Sequence, residues 1–427
     1  MSRRGLRHER NLQMIEAMMA GGSAAGLLRV HAGDEELEGE AITVDGHRML
    51  NFGSCSYLGL NTDARLKRGA IKAIKRFGPV FSSSTAYASV NLYADLKDRL
   101  ERIFEAHVVI PPTTTLAHLA ALPVLVNPDD AVFVDVNAHA SMHLTTDVLR
   151  GRGNTVIELP HNDMEALEAA IQKAESGGTC GIWYLADSIY SMYGDTAPIE
   201  AISRLLDRYP SLHVYFDDAH GFGWSGLHGR GSVLERMPFH PRMVIAVGLG
   251  KAFGSGGAAL AFVDPAFASR VLLTGGPLTF SGPIHNAELG AAVASADIHL
   301  SPEHAELQSR LLEQIDFATN TLTRHRLAVM SLEPTPIWFV RVGRNDQVMD
   351  LTRRLMDDGF FVNPSAYPAV PRGYGGIRFT HTLHQTEDQI ESLVEAIVQH
   401  LPQVTDEPSV VIDLSEEKAA STTAPGG

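Results

Sequence analysis

The chain has 427 residues, 50 of them Asp or Glu against 35 Lys or Arg, and a formal net charge of -15. Hydrophobic residues make up 44% and charged residues 20%, the balance of a globular protein long enough for two substantial lobes. The absence of a long basic run argues against non-specific nucleic-acid binding, and no stretch reaches the about 18 uninterrupted apolar residues of a membrane span.

In chain order, Leu12, Ile15, Met18 and Met19 carry helical spacing over residues 11–20, with Gly21 and Gly22 placed to end that helix. Arg7, His8, Glu9, Arg10 and Glu16 interrupt the apolar core that an export signal needs, so a surface helix is expected. Short strands follow near 27–30 and 42–50, with Asp45-Gly46 as a turn or bulge. Amphipathic helices cover 63–76 and 92–104, the second with Leu96, Leu100 and Ile103 as its stripe. Apolar strands at 131–135, 155–159, 181–186, 213–217, 244–247 and 258–263 then alternate with helices, among them 163–173, capped by Asp163, and 198–208. Continuous apolar strands imply helices above and below a mainly parallel sheet. A second pattern begins near 290. It comprises helix 302–323, strand 337–342, helix 346–356 capped by Asn345, strands 360–363 and 377–380, and helix 387–397. Periodicity stops at Pro402, and a disordered tail is expected after about residue 413.

Three segments carry chemistry. YFDDAHGFGWSGLHGRG at 215–231 delivers Asp217 to the end of an apolar strand, where α/β sheets place their sites, with His220 three residues on. A carboxylate there suits a protonated pyridine nitrogen, and the glycines suit close approach of backbone to a flat ligand. VGLGKAFGSGG at 247–257 sets Lys251 among glycines with no acidic neighbour in sequence, which suits a lysine of lowered pKa that forms a Schiff base. NAHASMH at 137–143 offers His139 to the face of a ring. The rivals fit less well. GxxxxGK[ST] fails at Ala252, and the literal GxGxxG of Gly221, Gly223 and Gly226 does not leave its strand directly. No HExxH or clustered histidine supports a metal site. Cys55 and Cys180 form no CxxC pair, which points to a reducing cytoplasm. Each residue also has a plainer reading: Asp217 as a helix cap, Cys55 as a small filler, and Arg378 in a domain-interface ion pair. His118 reads as a satisfied helix histidine or as a contact to substrate or cofactor phosphate.

The motifs NFGSCSYLGL, NAHAS, DSIYSMYGDTAPI, DDAHGFGWSGLHGRG, GKAFGSGG and GIRFTHTLHQTEDQI occur in this order between about Met49 and Glu395. On them the chain resembles the α-oxoamine synthases, a branch of the fold-type I, pyridoxal-phosphate (PLP) enzymes that includes 8-amino-7-oxononanoate synthase, serine palmitoyltransferase and the autoinducer synthases. The resemblance implies the aspartate-aminotransferase-like fold of α/β class, with a mainly parallel seven-stranded sheet in a large domain and a smaller α/β C-terminal domain. Residues 1–60 would hold the N-terminal helix and small-domain strands, 61–288 the PLP-binding domain, 289–407 the C-terminal domain and 408–427 the disordered tail. It implies PLP on Lys251, with Asp217 at the pyridine nitrogen, His139 stacked on the ring, and His220 and Ser191 at the ring oxygen. Thr114 and Thr115 would anchor the phosphate, joined by Thr279 and Ser281 from the other subunit of a homodimer with shared sites. Arg378 would grip the amino-acid carboxylate, and Cys55 and Tyr57 would meet the substrate. The implied reaction joins an amino acid to an acyl thioester, with loss of CO2 and free thiol.

Departures from the family pattern cluster around the phosphate and the substrate. Cys55 replaces an asparagine, FSSSTAY at 81–87 replaces a glycine-rich stretch, and PPTTTLAH at 111–118 replaces SSGYxAN. Gly248 stands where serine or threonine is usual, and Tyr193 where aspartate is. These leave aminotransfer, aldol-type cleavage and a non-catalytic scaffold as alternatives.

Overall fold

The computed structural model describes residues 3–405. Its strands, in chain order, are β1 Ala41–Val44, β2 His47–Asn51, β3 His107–Val109, β4 Ala131–Asp135, β5 Thr155–Leu159, β6 Ile182–Asp187, β7 Leu212–Asp217, β8 Met243–Gly248, β9 Ala258–Phe262, β10 Ile337–Gly343, β11 Phe360–Phe361, β12 Asn363–Ser365 and β13 Gly375–Thr380. The first helices are α1 Arg3–Ala24, α2 Ala64–Phe77, α3 Leu92–Phe104, α4 Thr114–Leu125 and α5 Ala140–Gly151. No helix among the described residues is long and apolar enough to cross a membrane.

One compact unit comprises Ser56–Ser191 and Thr196–Leu311. At its centre lies a seven-stranded sheet in the order β3-β9-β8-β7-β6-β4-β5. The strands from β5 to β8 are parallel, and β9 and β3 close one edge antiparallel. This is the mainly parallel sheet expected, with a mixed edge. Every residue of β4, β6 and β8 is buried, as strands covered on both faces require. Side chains alternate between the two faces. Phe133, Tyr184, Phe216 and Ile245 join one core, while Val134, Leu185, Tyr215 and Val244 join the other, under Ala117, Ala120 and Ala121 of α4. On the opposite layer α2 crosses the helix Asn286–His299 at Gly69 and Gly290. A Cβ on either glycine would strike the other's carbonyl, so the crossing demands both.

The second unit comprises the described residues of Met1–Cys55, Met192–Asp195 and Leu312–Gly427. β1 and β2 form a hairpin whose Asp45 and Gly46 both take positive φ, 50° and 81°, as a type I′ turn requires. β11 adds to β2 in parallel, and β10-β13-β12 form an antiparallel sheet.

Several local expectations fail for identifiable reasons. Residues 27–30 form no strand, because the Leu27 and Leu28 amides both turn back to Gly22 O at 2.9 and 3.2 Å and finish α1. Gly21 and Gly22 lie inside α1, which continues to Ala24. Asn345 does not cap its helix. It is the first residue of Asn345–Asp357, and its side chain clasps Tyr367, donating to the carbonyl at 2.8 Å and accepting from the N–H at 3.0 Å. The run 360–363 divides between two sheets, β11 on β2 and β12 on β13. The last helix passes through Pro402 to Val404. The tail expected to be disordered lies outside the described residues.

Candidate active site

Three parallel strands end side by side. Asp187 of β6 is in register with Asp217 of β7, which is in register with Ala246 of β8, and Lys251 follows β8 after Leu249 and Gly250. Asp217 is buried. Its Oδ1 accepts the Ala219 N–H at 3.0 Å and its Oδ2 lies 3.0 Å from His118 Nε2. Burial alone would raise its pKa. The His118 hydrogen bond, the Lys251 charge and the Ala219 N–H outweigh burial and hold the carboxyl below its usual value.

Asp187 sits in the same row and shifts the opposite way. Burial and the neighbouring Asp217 charge push its pKa well above the usual carboxylate value. Its Oδ1 accepts the His139 N–H at 3.0 Å and so fixes the start of α5. His139 caps that helix: its Nδ1 accepts from the Ser141 N–H at 3.3 Å and lies 2.6 Å from Ser141 Oγ. Partial desolvation lowers the imidazole pKa, and the Lys251 charge lowers it further against the pull of Asp217. The residue is nonetheless exposed. Lys251 thus acts on the charge of Asp187, Asp217 and His139 alike.

His220 is buried, and its Nδ1 lies 2.7 Å from the hydroxyl of the fully buried Tyr57. Thr114 and Thr115 are half-buried in the first turn of α4, whose N-cap Thr113 accepts the Leu116 N–H at 3.2 Å. Gly248 faces this turn. A methyl there would lie 2.9 Å from Thr114 Oγ1, so the hydroxyl of Thr114 fills the space that a larger residue at 248 would need. Ser191 is half-buried, at the end of its chain segment. Thr279 and Ser281 flank the end of the short helix Gly276–Phe280, whose carbonyls hold the 81–87 segment. Ser84 Oγ donates to Thr279 O at 2.7 Å, and Thr85 Oγ1 to Leu278 O at 2.8 Å. In the other unit Arg378 and Cys55 meet, with Nη2 3.9 Å from Sγ.

Two glycines of the glycine-rich loop make room for a buried acid. Gly221 and Gly231 both press on Asp218, where a Cβ on either would collide with the carboxylate. Asp218 also receives Ser188 Oγ, Ser232 Oγ at 3.0 Å and the Val233 N–H at 3.1 Å, while burial moves its pKa up to about 7. The glycines therefore brace the loop behind His220. Among the described residues no group of His, Cys, Asp and Glu could hold a metal ion.

Two residues of this array were not expected to serve Asp217. His118 reads as a helix histidine or as a contact to substrate or cofactor phosphate, and its bonds go instead to Tyr215 and Asp217. Asp187 opens DSIYSMYGDTAPI but acquires meaning only through its register with Asp217.

A sheet with a lysine and a buried aspartate at the ends of adjacent parallel strands defines a fold-type I PLP enzyme. The family model "Aminotransferase class I and II" matches residues 47–397. The chain is 32% identical over 381 residues to 8-amino-7-oxononanoate synthase of Dechloromonas aromatica (strain RCB), covering 88% of this chain and 96% of the relative. It is 29% identical to serine palmitoyltransferase of Sphingobacterium spiritivorum, over 84% of this chain and 88% of that one. The solved Sphingomonas wittichii serine palmitoyltransferase shares the fold, with a TM-score of 0.83 at 20% identity, over 92% of this chain and 98% of that one. The chain belongs to the aminotransferase class I and II family and, within it, to the α-oxoamine synthases, PLP-dependent acyltransferases that condense an amino acid with an acyl thioester.

Proposed function

We propose that this chain holds PLP on Lys251 and uses it to join an amino acid to an acyl thioester, releasing CO2 and free thiol and leaving an α-amino ketone. The observation that carries the assignment is the buried Asp217 at the end of β7, beside the strand whose following turn bears Lys251. A carboxylate offers about four lone-pair directions, and His118 and Ala219 take two, which leaves capacity for a pyridine N–H. The first turn of α4 fits a phosphate: the Thr114 and Thr115 hydroxyls stand beside amides that no helical carbonyl can satisfy. PLP, when bound, supplies an electron-accepting ring that stabilises negative charge at the amino acid's α-carbon.

The chain's own residues do the rest. Lys251 Nζ takes the α-proton and later returns one. Asp217 keeps a proton on the ring nitrogen. His139 covers one ring face and excludes water, and Asp187 holds its backbone in place. His220, oriented by Tyr57, and Ser191 serve the ring oxygen, so Tyr57 acts through His220. Arg378 grips the substrate carboxylate with its planar pair of donors, beside Cys55. Thr279 and Ser281 complete the phosphate site of a second copy in a homodimer. Tyr87 and Phe280, 88% and 89% exposed near these residues, support a partner surface there. Free thiols at Cys55 and Cys180 agree with a reducing cytoplasm.

The test is direct. The purified protein should show PLP absorbance, and CO2 release should require both an amino acid and an acyl thioester. Lys251→Ala should lower turnover by about 10⁴-fold or more, because it removes the proton-transfer group and the covalent anchor together. Wild-type turnover in that variant would defeat the assignment.

A further inference from the structure

The alternation of β7 puts Tyr215 and Asp217 on one face of the sheet, the face that α4 covers. His118 of α4 reaches both: Nδ1 lies 2.9 Å from the Tyr215 hydroxyl and Nε2 lies 3.0 Å from Asp217 Oδ2. All three side chains are buried. The proton positions follow from this closed chain. Burial and the Asp217 charge keep the Tyr215 phenol protonated, and its proton has Nδ1 as an acceptor. Asp217 as a carboxylate can only accept, so Nε2 carries the imidazole proton and donates it. Reversing the first bond would leave a buried hydroxyl proton without an acceptor, which is costly.

We propose that His118 is a positioning residue for the reaction: locked by Tyr215 in the Nε2–H tautomer, it fixes the Asp217 carboxylate and sets how strongly the site holds a proton on the cofactor's ring nitrogen. This rests on the PLP reading of the site. A charge-assisted hydrogen bond pins one carboxylate oxygen and withdraws part of its charge, so His118 limits the basicity of Asp217 while keeping it ionised. No group other than Tyr215 and Asp217 bonds to the imidazole nitrogens among the described contacts, so the ring serves that carboxylate alone.

The experiment uses holoenzyme loaded with PLP labelled with ¹⁵N at the ring nitrogen. His118→Phe keeps ring volume and removes both hydrogen bonds, whereas His118→Gln places an amide donor near the Nε2 position. The expected result for His118→Phe is a displaced ring-nitrogen shift, an altered pH titration of the cofactor's visible absorbance, and a kcat lower by about 10- to 100-fold with KM for the amino acid little changed. His118→Gln should recover most of the shift and rate, and Tyr215→Phe should move both in the same direction as His118→Phe but less. A His118→Phe holoenzyme with wild-type ring-nitrogen shift and titration overturns the proposal while leaving the PLP assignment standing. Wild-type protein that takes up no PLP overturns both. Should His118→Phe fail to fold, the ¹⁵N–¹H correlations of wild-type histidines decide: Nε2–H with a bare Nδ1 supports the proposal, and an Nδ1–H tautomer or an imidazolium refutes it.

Discussion

Asp187 and Asp217 end neighbouring strands in the same register, are both buried, and feel the same lysine, yet their pKa values move in opposite directions, the first up and the second down. Their partners make the difference. Asp217 receives a histidine N–H and a backbone N–H on separate oxygens, whereas Asp187 has a single backbone N–H from His139 and the charge of Asp217 beside it. Burial and the charge of the neighbour raise a carboxyl's pKa, and hydrogen-bond donors lower it, so the acid with more donors is the one held low. Neighbouring acids thus have separate surroundings, Asp217 held by His118 and Ala219 and Asp187 fixing the backbone of His139.

The most severe way to break this asymmetry is to neutralise each acid in turn. Asp217→Asn should lower kcat by about 10²- to 10³-fold, the cost of removing one preorganised charged group at the reacting centre. Asp187→Asn keeps an oxygen to accept the His139 N–H and should cost less than about tenfold. Steady-state kinetics on the two variants measure the contrast, and equal losses would erase it.

The pH dependence of stability should separate the two acids by sign. Asp217 titrates lower in the folded chain than in the unfolded one, so its contribution is present above the ordinary carboxylate pKa and is lost as pH falls through the folded value. Asp187 titrates higher when folded. The unfolded chain releases that proton first, so stability declines as pH rises above the ordinary value. Asp218 behaves like Asp187, with a window from about 4 to about 7 set by its folded pKa of about 7. Melting temperatures across this range should therefore fall less with rising pH in Asp187→Asn than in wild type. A steeper fall in the variant would contradict the raised pKa of Asp187.

The smallest effect belongs to the surface. Arg65 bonds Glu303 at 2.6 and 2.8 Å, but both side chains are about two-fifths exposed. Glu303→Gln should cost less than about 1 kcal/mol, with activity unchanged, as a thermal melt and one assay can check. A larger loss would show that ion pairs matter here outside buried surroundings.

How much of this was legible beforehand differs from residue to residue. Lys251 and Asp217 announce themselves because an apolar strand delivers each to a glycine-bearing turn, a pattern written in consecutive residues. The alternating strands and helices of the larger unit are visible for the same reason. His118 was not legible as a partner of Asp217, since 99 positions separate them and the helix around it looks like ordinary core. Gly221 and Gly231 were visible as glycines, but the carboxylate they make room for was not. At the periphery, residues 27–30 have strand composition and no ladder to join, and 360–363 has one run of apolar residues shared between two sheets.

By itself, then, the sequence determined the layered α/β architecture, the family and the lysine–aspartate pair, because period-2 and helical patterns and short motifs are local properties of the chain. Only the tertiary structure decided which of two adjacent acids has its pKa lowered, which histidine bonds to it and which glycines make room for Asp218. Those outcomes depend on desolvation and on hydrogen bonds between residues far apart in sequence, and neither exists until the strands are in register and α4 lies across them.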